Sequence, residues 1–251
     1  FTFYNCSSLV NAPVIPEGVS IMSSTFQGCT SLVKVPVIPE GVTDMSYTFY
    51  GCTSLDLEKA SVIPEGVTDM SFTFYNCSSL VNAPVIPEGV SIMSSTFQGC
   101  TSLVKAPVIP EGVTNMRYTF RGCTSLVNVP VIPEGVIDMF STFYKCTSLV
   151  NAPVIPESVT IMSETFYGCT SLVKAPVIPE GVTDMESAFY KCYDLVGEIE
   201  INVQRLTAYL FYRDCFYDAG RDSSGVVLTG TSPYLEELAE TGRYVTVKDA
   251  A

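Results

Sequence analysis

Apolar residues recur along this chain in a fixed order. A representative stretch, Met93 to Asn115, reads M-S-S-T-F-Q-G-C-T-S-L-V-K-A-P-V-I-P-E-G-V-T-N. The shared pattern is M-x-x-x-F-x-x-C-x-x-L followed by V-I-P-E-G-V. Met93, Phe97 and Cys100 stand at i, i+4 and i+7, which predicts one face of a short helix. Gly99, just before Cys100, fits the end of that helix. From Leu103 the prolines exclude helix and predict an extended run. Val108-Ile109 is a short β-branched stretch. Pro110-Glu111-Gly112 predicts a turn in which glycine can take positive φ. Val113-Thr114-Asn115 leads, extended, into the next Met. Each unit thus reads as strand, tight turn, short strand and short helix, with Met, Phe, Cys, Leu and Val inward.

The pattern is periodic. The ten cysteines fall at 6, 29, 52, 77, 100, 123, 146, 169, 192 and 215, so every gap is 23 residues except one of 25. All eight methionines share one register, from Met22 to Met185. The longer gap holds an insertion, Asp56 to Ser61, read as a bulged outer loop. A three-unit period is superimposed. Residues 1–34 recur unchanged at 72–105, and the residue before Met is apolar in every third unit (Ile21, Ile92, Ile161). A lone unit of this size cannot bury its apolar face, whereas stacked neighbours can. The expected fold class is therefore a β-rich α/β solenoid. At ~4.8 Å between neighbouring strands, about nine units would make a rod roughly 43 Å long. Residues 1–195 form the repeat array. Residues 196–251 are expected to be a degenerate last repeat (Leu206 to Cys215) and a C-terminal cap, with a strand near Gly197–Ile201, a helix over about 233–241 and a last strand at Tyr244–Val247. The chain begins inside a repeat, so the numbering is expected to start within a larger protein.

Segments such as Phe97-x-x-Cys100-x-x-Leu103, followed by P-x-x-V and an apolar residue three further on, resemble BspA-like, treponemal-type leucine-rich repeats. Val67-Thr68-Asp69-Met70-Ser71-Phe72-Thr73-Phe74 is similar to the related VTxMxxxF repeats of mycoplasma and gut-bacterial surface proteins. The resemblance covers residues 1–195, and weakly to Cys215. It implies secreted or surface-anchored bacterial proteins that bind host proteins, matrix or other cells, and it supplies no catalytic residues.

Composition narrows the chemistry. The chain has no His, so Ser–His and Cys–His dyads and His–metal sites are excluded. A net charge of −13 argues against a grip on nucleic acid. No apolar run is long enough for a transmembrane helix. One Cys per unit, in one register, predicts stacked free thiols rather than disulfides, whose Cβ vectors must converge. The turn glutamates Glu17, Glu40, Glu65, Glu88, Glu111, Glu134, Glu157 and Glu180 form a second column. Stacked like charges repel, so these side chains should splay into solvent. One carboxylate per unit supplies too few oxygens for Ca²⁺ and no asymmetric acid pair for glycoside hydrolysis. No cofactor, metal or catalytic residue is expected, and the chain is read as a non-enzyme.

Exposed aromatics are the remaining candidates. Tyr50, Tyr75, Arg121, Tyr144, Tyr167 and Tyr190 lie between Phe and Cys, where Gln27 and Gln98 also stand. Tyr47, Phe72 and Tyr118 lie two residues after Met. Two readings stay open for them. Each ring lies flat over its neighbour and shields the stack, or the stripe binds a partner, since Tyr and Arg are typical hot-spot residues. The functional expectation is an extracellular or cell-surface recognition and adhesion module for a protein or glycan on a host or neighbouring cell. The alternative is a structural spacer or self-assembling subunit, stacking end to end in a filament or in a phage fibre on the virion surface.

Overall fold

The computed structural model describes residues 2–57, 63–206 and 212–248. Successive repeats lie against one another, one turn of chain per repeat. Two columns of parallel bridges mark the stacking. One runs through the residue before Met, as in Ile21↔Asp44, Asp44↔Asp69 and Asn115↔Asp138. The other runs through the second residue after Leu, as in Asn82↔Lys105 and Lys105↔Asn128. Single bridges stand where strands were expected. The Pro-Val-Ile-Pro run between the columns explains this, because proline offers no N–H to extend a ladder.

The expected helix between Met and Cys is absent. In its place are linked turns, and the reason lies in where the N–H groups point. Thr119, Arg121 and Cys123 donate three residues back, to Met116, Tyr118 and Phe120 (3.0–3.1 Å). The residues between them donate to the next turn instead. Met116, Tyr118, Phe120 and Gly122 bond Asp138, Phe140, Thr142 and Tyr144 at 2.8, 3.0, 3.0 and 2.7 Å. A helix would keep every N–H within its own segment. This alternation needs two left-handed residues per turn, one two places after Met (Tyr118, φ 59°) and one just before Cys (Gly122, φ 72°). Asn76, Lys145 and Lys191 take the second position elsewhere, also at positive φ.

The core is as patterned. Met, Phe, Cys, Leu and the Val after Gly are fully buried in turn after turn, for example Met116, Phe120, Cys123, Leu126 and Val136. Ile of Val-Ile-Pro joins them, at 4% exposure for Ile109 and Ile132. Phe rings stack through the whole array, from Phe3 on Phe26 (5.3 Å) to Phe189 on Phe216 (5.3 Å). The buried Thr hydroxyls of this core share carbonyls that the turns already use, while the buried Ser163 Oγ has no partner. Thr119 Oγ1 lies 2.9 Å from Met116 O and 3.1 Å from Met93 O, and the same arrangement recurs from Thr48 to Thr142. The thiols from Cys29 to Cys192 donate to the Phe carbonyl of the preceding turn, as Cys123 Sγ does to Phe97 O at 3.1 Å. All ten cysteines are free, and only Cys6 is exposed.

The turn at Pro-Glu-Gly closes through Val113 N–H to Pro110 O at 3.1 Å. Its glycine does not take the positive φ expected of it, and Ser158 fills the same place, donating to Val136 O at 2.6 Å. All eight glutamates of these turns are exposed. Most of the insertion expected as a loop, residues 58–61, lies outside the described residues. Asp56 still bridges Lys34, and Leu57 is buried.

After Leu195 the second bridge column broadens into a parallel sheet. Strand β1 (Gly197–Glu200) pairs with β2 (Val226–Thr229), and β2 with β3 (Val245–Val247). Helix α1 spans only Leu235–Ala239, shorter than 233–241. Its N-cap is Tyr234, without a side-chain cap bond, while Ser232 Oγ accepts the N–H of Tyr234. The degenerate repeat is partly outside the described residues, but its register is plain. Phe216 stacks on Phe189, Tyr217 on Tyr190, and Phe189 N–H bonds Cys215 O. Cys215 therefore fills the place that Thr holds in earlier turns, above Ala188, and Ala219 fills the place of Cys. The spacing of 23 from Cys192 is a coincidence of sequence, since the ring-to-ring step here is Phe189 to Phe216.

Two consequences can be measured. A Cβ at Gly122 meets nothing closer than 3.9 Å, so Gly122→Ala tests backbone conformation alone and should cost about 1 kcal/mol in urea unfolding. Gly112→Ala, at ordinary φ with a nearest neighbour at 3.7 Å, should stay within about 0.5 kcal/mol or gain stability. The thiols set a pH dependence. Burial pushes Cys52 and Cys169 up to about 12, and Cys77, Cys100, Cys146 and Cys192 well above the ordinary range. The folded chain thus keeps protons that the unfolded chain releases above about pH 9, so stability is full below that pH and falls as pH rises toward 12. The urea midpoint should drop between about pH 8 and about pH 10.5, and native labelling with maleimide should be fast at Cys6 and slow elsewhere.

Candidate functional site

The Met-to-Cys segment alternates its side chains. Met, Thr, Phe and Cys enter the core, and the two left-handed positions keep the residues after Met and after Phe on the surface. Identical turns place identical positions in column. The nine residues singled out above are all half-buried there.

They gather into two groups. In the first, Tyr47 stacks on Phe72 at 4.5 Å and Tyr50 on Tyr75 at 4.4 Å, with about 6.0 Å between the two columns. The stack bridges the turn that carries the insertion. In the second, Tyr144, Tyr167 and Tyr190 stack at 4.5 Å, and Arg121 lies 4.1 Å over the Tyr144 ring. Tyr118 meets Phe140 edge-on at 5.1 Å, and Arg117 lies 4.5 Å over Phe140 while pairing with Asp138 at 2.9 Å. Ser95 and Gln98 occupy these columns between the two groups.

Both open readings find geometry here. The ring faces cover one another, so what each tyrosine presents outward is an edge and a hydroxyl. Burial, with Tyr144 and Tyr190 on either side, pushes the Tyr167 hydroxyl up to about 12. Burial and Tyr75 raise Tyr50. These hydroxyls are thus protonated donors at any physiological pH. Cations flank them, with Lys145 at 5.3 Å from the Tyr144 ring and Lys191 at 5.1 Å from Tyr190. Arg121 over Tyr144 is a cation–π contact.

Sequence reading missed Tyr217, which extends the second stack at 4.9 Å from Tyr190. Aligning the last repeat on Phe216 rather than on Cys215 would have found it. Phe140, Arg117, Lys145 and Lys191 were also missed, since each stands in a register that holds small or polar residues elsewhere.

Among the described residues no three His, Cys, Asp or Glu side chains gather to hold a metal ion. The buried thiols are held protonated and enclosed, which suits packing rather than nucleophilic chemistry. No helix among the described residues is long and apolar enough to cross a membrane.

Comparison with known proteins agrees with the repeat. No curated protein matches this chain significantly. Among solved structures, a leucine-rich repeat protein from Eubacterium ventriosum is similar at TM-score 0.55 and 20% identity, over 76% of this chain and 60% of that one. A leucine-rich repeat protein from Bacteroides ovatus aligns over 99% of this chain and 80% of its own at 20% identity and TM-score 0.48. One from Treponema pallidum aligns over 74% of this chain and 77% of its own at 25% identity and TM-score 0.44. The Eubacterium likeness shows a shared leucine-rich repeat fold. The family model of BspA type leucine-rich repeat regions matches six copies, over residues 1–127 and 91–217. With inward Phe, Cys and Leu in turn after turn, this chain belongs to the BspA type leucine-rich repeat family.

Proposed function

We propose that this chain is a non-catalytic recognition module of a bacterial surface protein, displayed outside the cell and used to bind a protein or glycan on a host or neighbouring cell. It is read as a solenoid of 23-residue units over residues 1–195, closed by residues 196–251. Support for the closing role comes from Thr241, whose Oγ1 accepts the Phe216 N–H at 3.1 Å, a donor that would otherwise seek a further turn. Family membership supports the surface location.

The observation that carries the binding reading is the pair of aromatic columns with cations beside them. Tyr47, Tyr50, Phe72 and Tyr75 form one contact zone. Tyr118, Arg121, Tyr144, Tyr167 and Tyr190 form the other. Mutual stacking fixes the rings before any partner arrives, so little side-chain entropy is lost on contact. Protonated hydroxyls and the cations Arg121, Lys145 and Lys191 then supply directional donors at the ring edges.

Substitution of Tyr144, Tyr167 and Tyr190 by Ser together should weaken binding to epithelial cells or to an immobilised glycan panel at least tenfold, with a cooperative melt retained. The triple Phe variant keeps the stacks and removes the hydroxyls, so its loss should be smaller but measurable. Unchanged binding by the Ser variant would sink the aromatic reading.

A further inference from the structure

A separate set of columns carries an apolar ridge. The first Val of Val-Ile-Pro is 81–91% exposed at Val14, Val37, Val85, Val108, Val131 and Val154, and 51% at Val177. Apolar side chains this bare are ordinarily scattered, whereas these stand in line, one in each of seven turns among the described residues. Beside the ridge run grooves floored by alanine and proline. One, of about 410 Å³, is lined by Ala83, Pro84, Ala106 and Pro107. Another, of about 490 Å³, is lined by Ala152, Pro153, Ala175 and Pro176. Asn82 and Lys105 also line the first groove, which reaches past the ridge to Glu111, and Asn151 and Lys174 line the second, which reaches to Glu157. Beyond the ridge stands the exposed glutamate column. Along each of these turns the chain therefore passes from Lys or Asn, whose column Asp56 also joins, through the groove floor to the Val ridge and then to Glu.

We propose that this face pairs with the same face of a second copy, side by side and with both chains running the same way. The order of columns decides the arrangement. A two-fold axis parallel to the columns, between ridge and groove, seats each ridge in the partner's groove and sets each Lys/Asn column beside the partner's Glu column. An antiparallel pair would set ridge on ridge and Glu on Glu, where like charges repel. The basic residues fit the parallel case, since Lys105 and Lys174 stand in the same turns as Glu111 and Glu180. They recur with the three-unit period of the sequence, four asparagines of the column offer neutral donors to further glutamates, and Asp56 is the one acidic member of the column.

Size is sufficient. An exposed valine side chain offers about 60–120 Å² of apolar surface, so the seven ridge residues present on the order of 600 Å². A stable interface buries roughly 800 Å² per partner, and the flanking columns supply the rest. The identical spacing of both copies keeps ridge and groove in phase over the whole array. The continuous glutamate column and the net charge of −13 oppose an anionic lipid surface as the occupant. The pairing does not rest on the aromatic columns, so the Tyr variants leave it untouched.

Sedimentation equilibrium of the purified chain, over the micromolar range, tests this. A reversible dimer is expected. The Val108→Asp, Val131→Asp double variant should raise its dissociation constant at least tenfold, with the melting temperature nearly kept, since both side chains already face solvent. Lys105→Glu alone and Glu111→Lys alone should each weaken the dimer. Together they should restore it, because each copy then carries both partners of the reversed pair. A chain that stays monomeric overturns the proposal, and so does ridge-dependent binding of the monomer to vesicles or to an apolar peptide. Tightening by Glu111→Lys alone overturns the parallel arrangement. The charge variants keep the test decisive even where the Asp variant fails to fold.

Discussion

The structure depends on where alternate N–H groups go between Met and Cys. Most turns send four of them, as from Met116, Tyr118, Phe120 and Gly122, to carbonyls of the next turn. Buried backbone donors have to be paired, and the turn itself pairs only every second one. Neighbouring turns must therefore sit in phase. That single requirement holds Met over Met, Phe over Phe and Cys over Cys. It also explains why the segment cannot be a helix, and why two residues per turn accept a left-handed backbone.

Carbonyls are the other half of the constraint. The Met carbonyl receives a Thr N–H from its own turn and approaches two Thr hydroxyls, and the Phe carbonyl receives a Cys N–H and a Cys S–H. Thr and Cys are thus matched to particular acceptors, and their burial carries no stranded polar atom. Desolvation holds the thiols protonated, which the S–H donation requires. Each Thr hydroxyl bond contributes about 1 kcal/mol, and burying that hydroxyl without an acceptor would cost more.

Much of this was legible in the spacing of Met, Phe, Cys, Leu and Val, because a fixed period leaves few choices for what faces inward. Local geometry was harder to read. Met93, Phe97 and Cys100 at i, i+4 and i+7 suit a helix and suit linked turns equally, and only the sign of φ at Ser95 separates the two. Gly99 hinted at it, but Asn76 and Lys145 in the same register do not announce positive φ. Cys215 shows the opposite hazard, where an equal interval led to the wrong column. At the candidate site the candidates were visible as a register, while their division into two stacks needed neighbours in space. Tyr217 was missed because the last turn is longer than the others, so alignment on Cys215 put it out of register. The valine ridge was equally hidden, since Val and Ile alternate in the same stretch and pattern alone does not say which of two apolar neighbours turns outward.

The donation of N–H groups across turns has a consequence for polarity. In the Met–Cys segment every such bond points from the N-terminal turn to the next, while the returning bonds, such as those from Val127 and Ile137, lie outside that segment. The two faces of any turn are then chemically unlike along this segment, one offering carbonyls and the other N–H groups. Aligned peptide units of about 3.5 D each sum to a field that leaves the last turn partly positive. Asp214 and Asp218 hold the two left-handed positions of that turn, where negative charge is electrostatically favoured. Stacks of this kind have a direction, and a turn can be added only in the orientation that meets acceptors with donors.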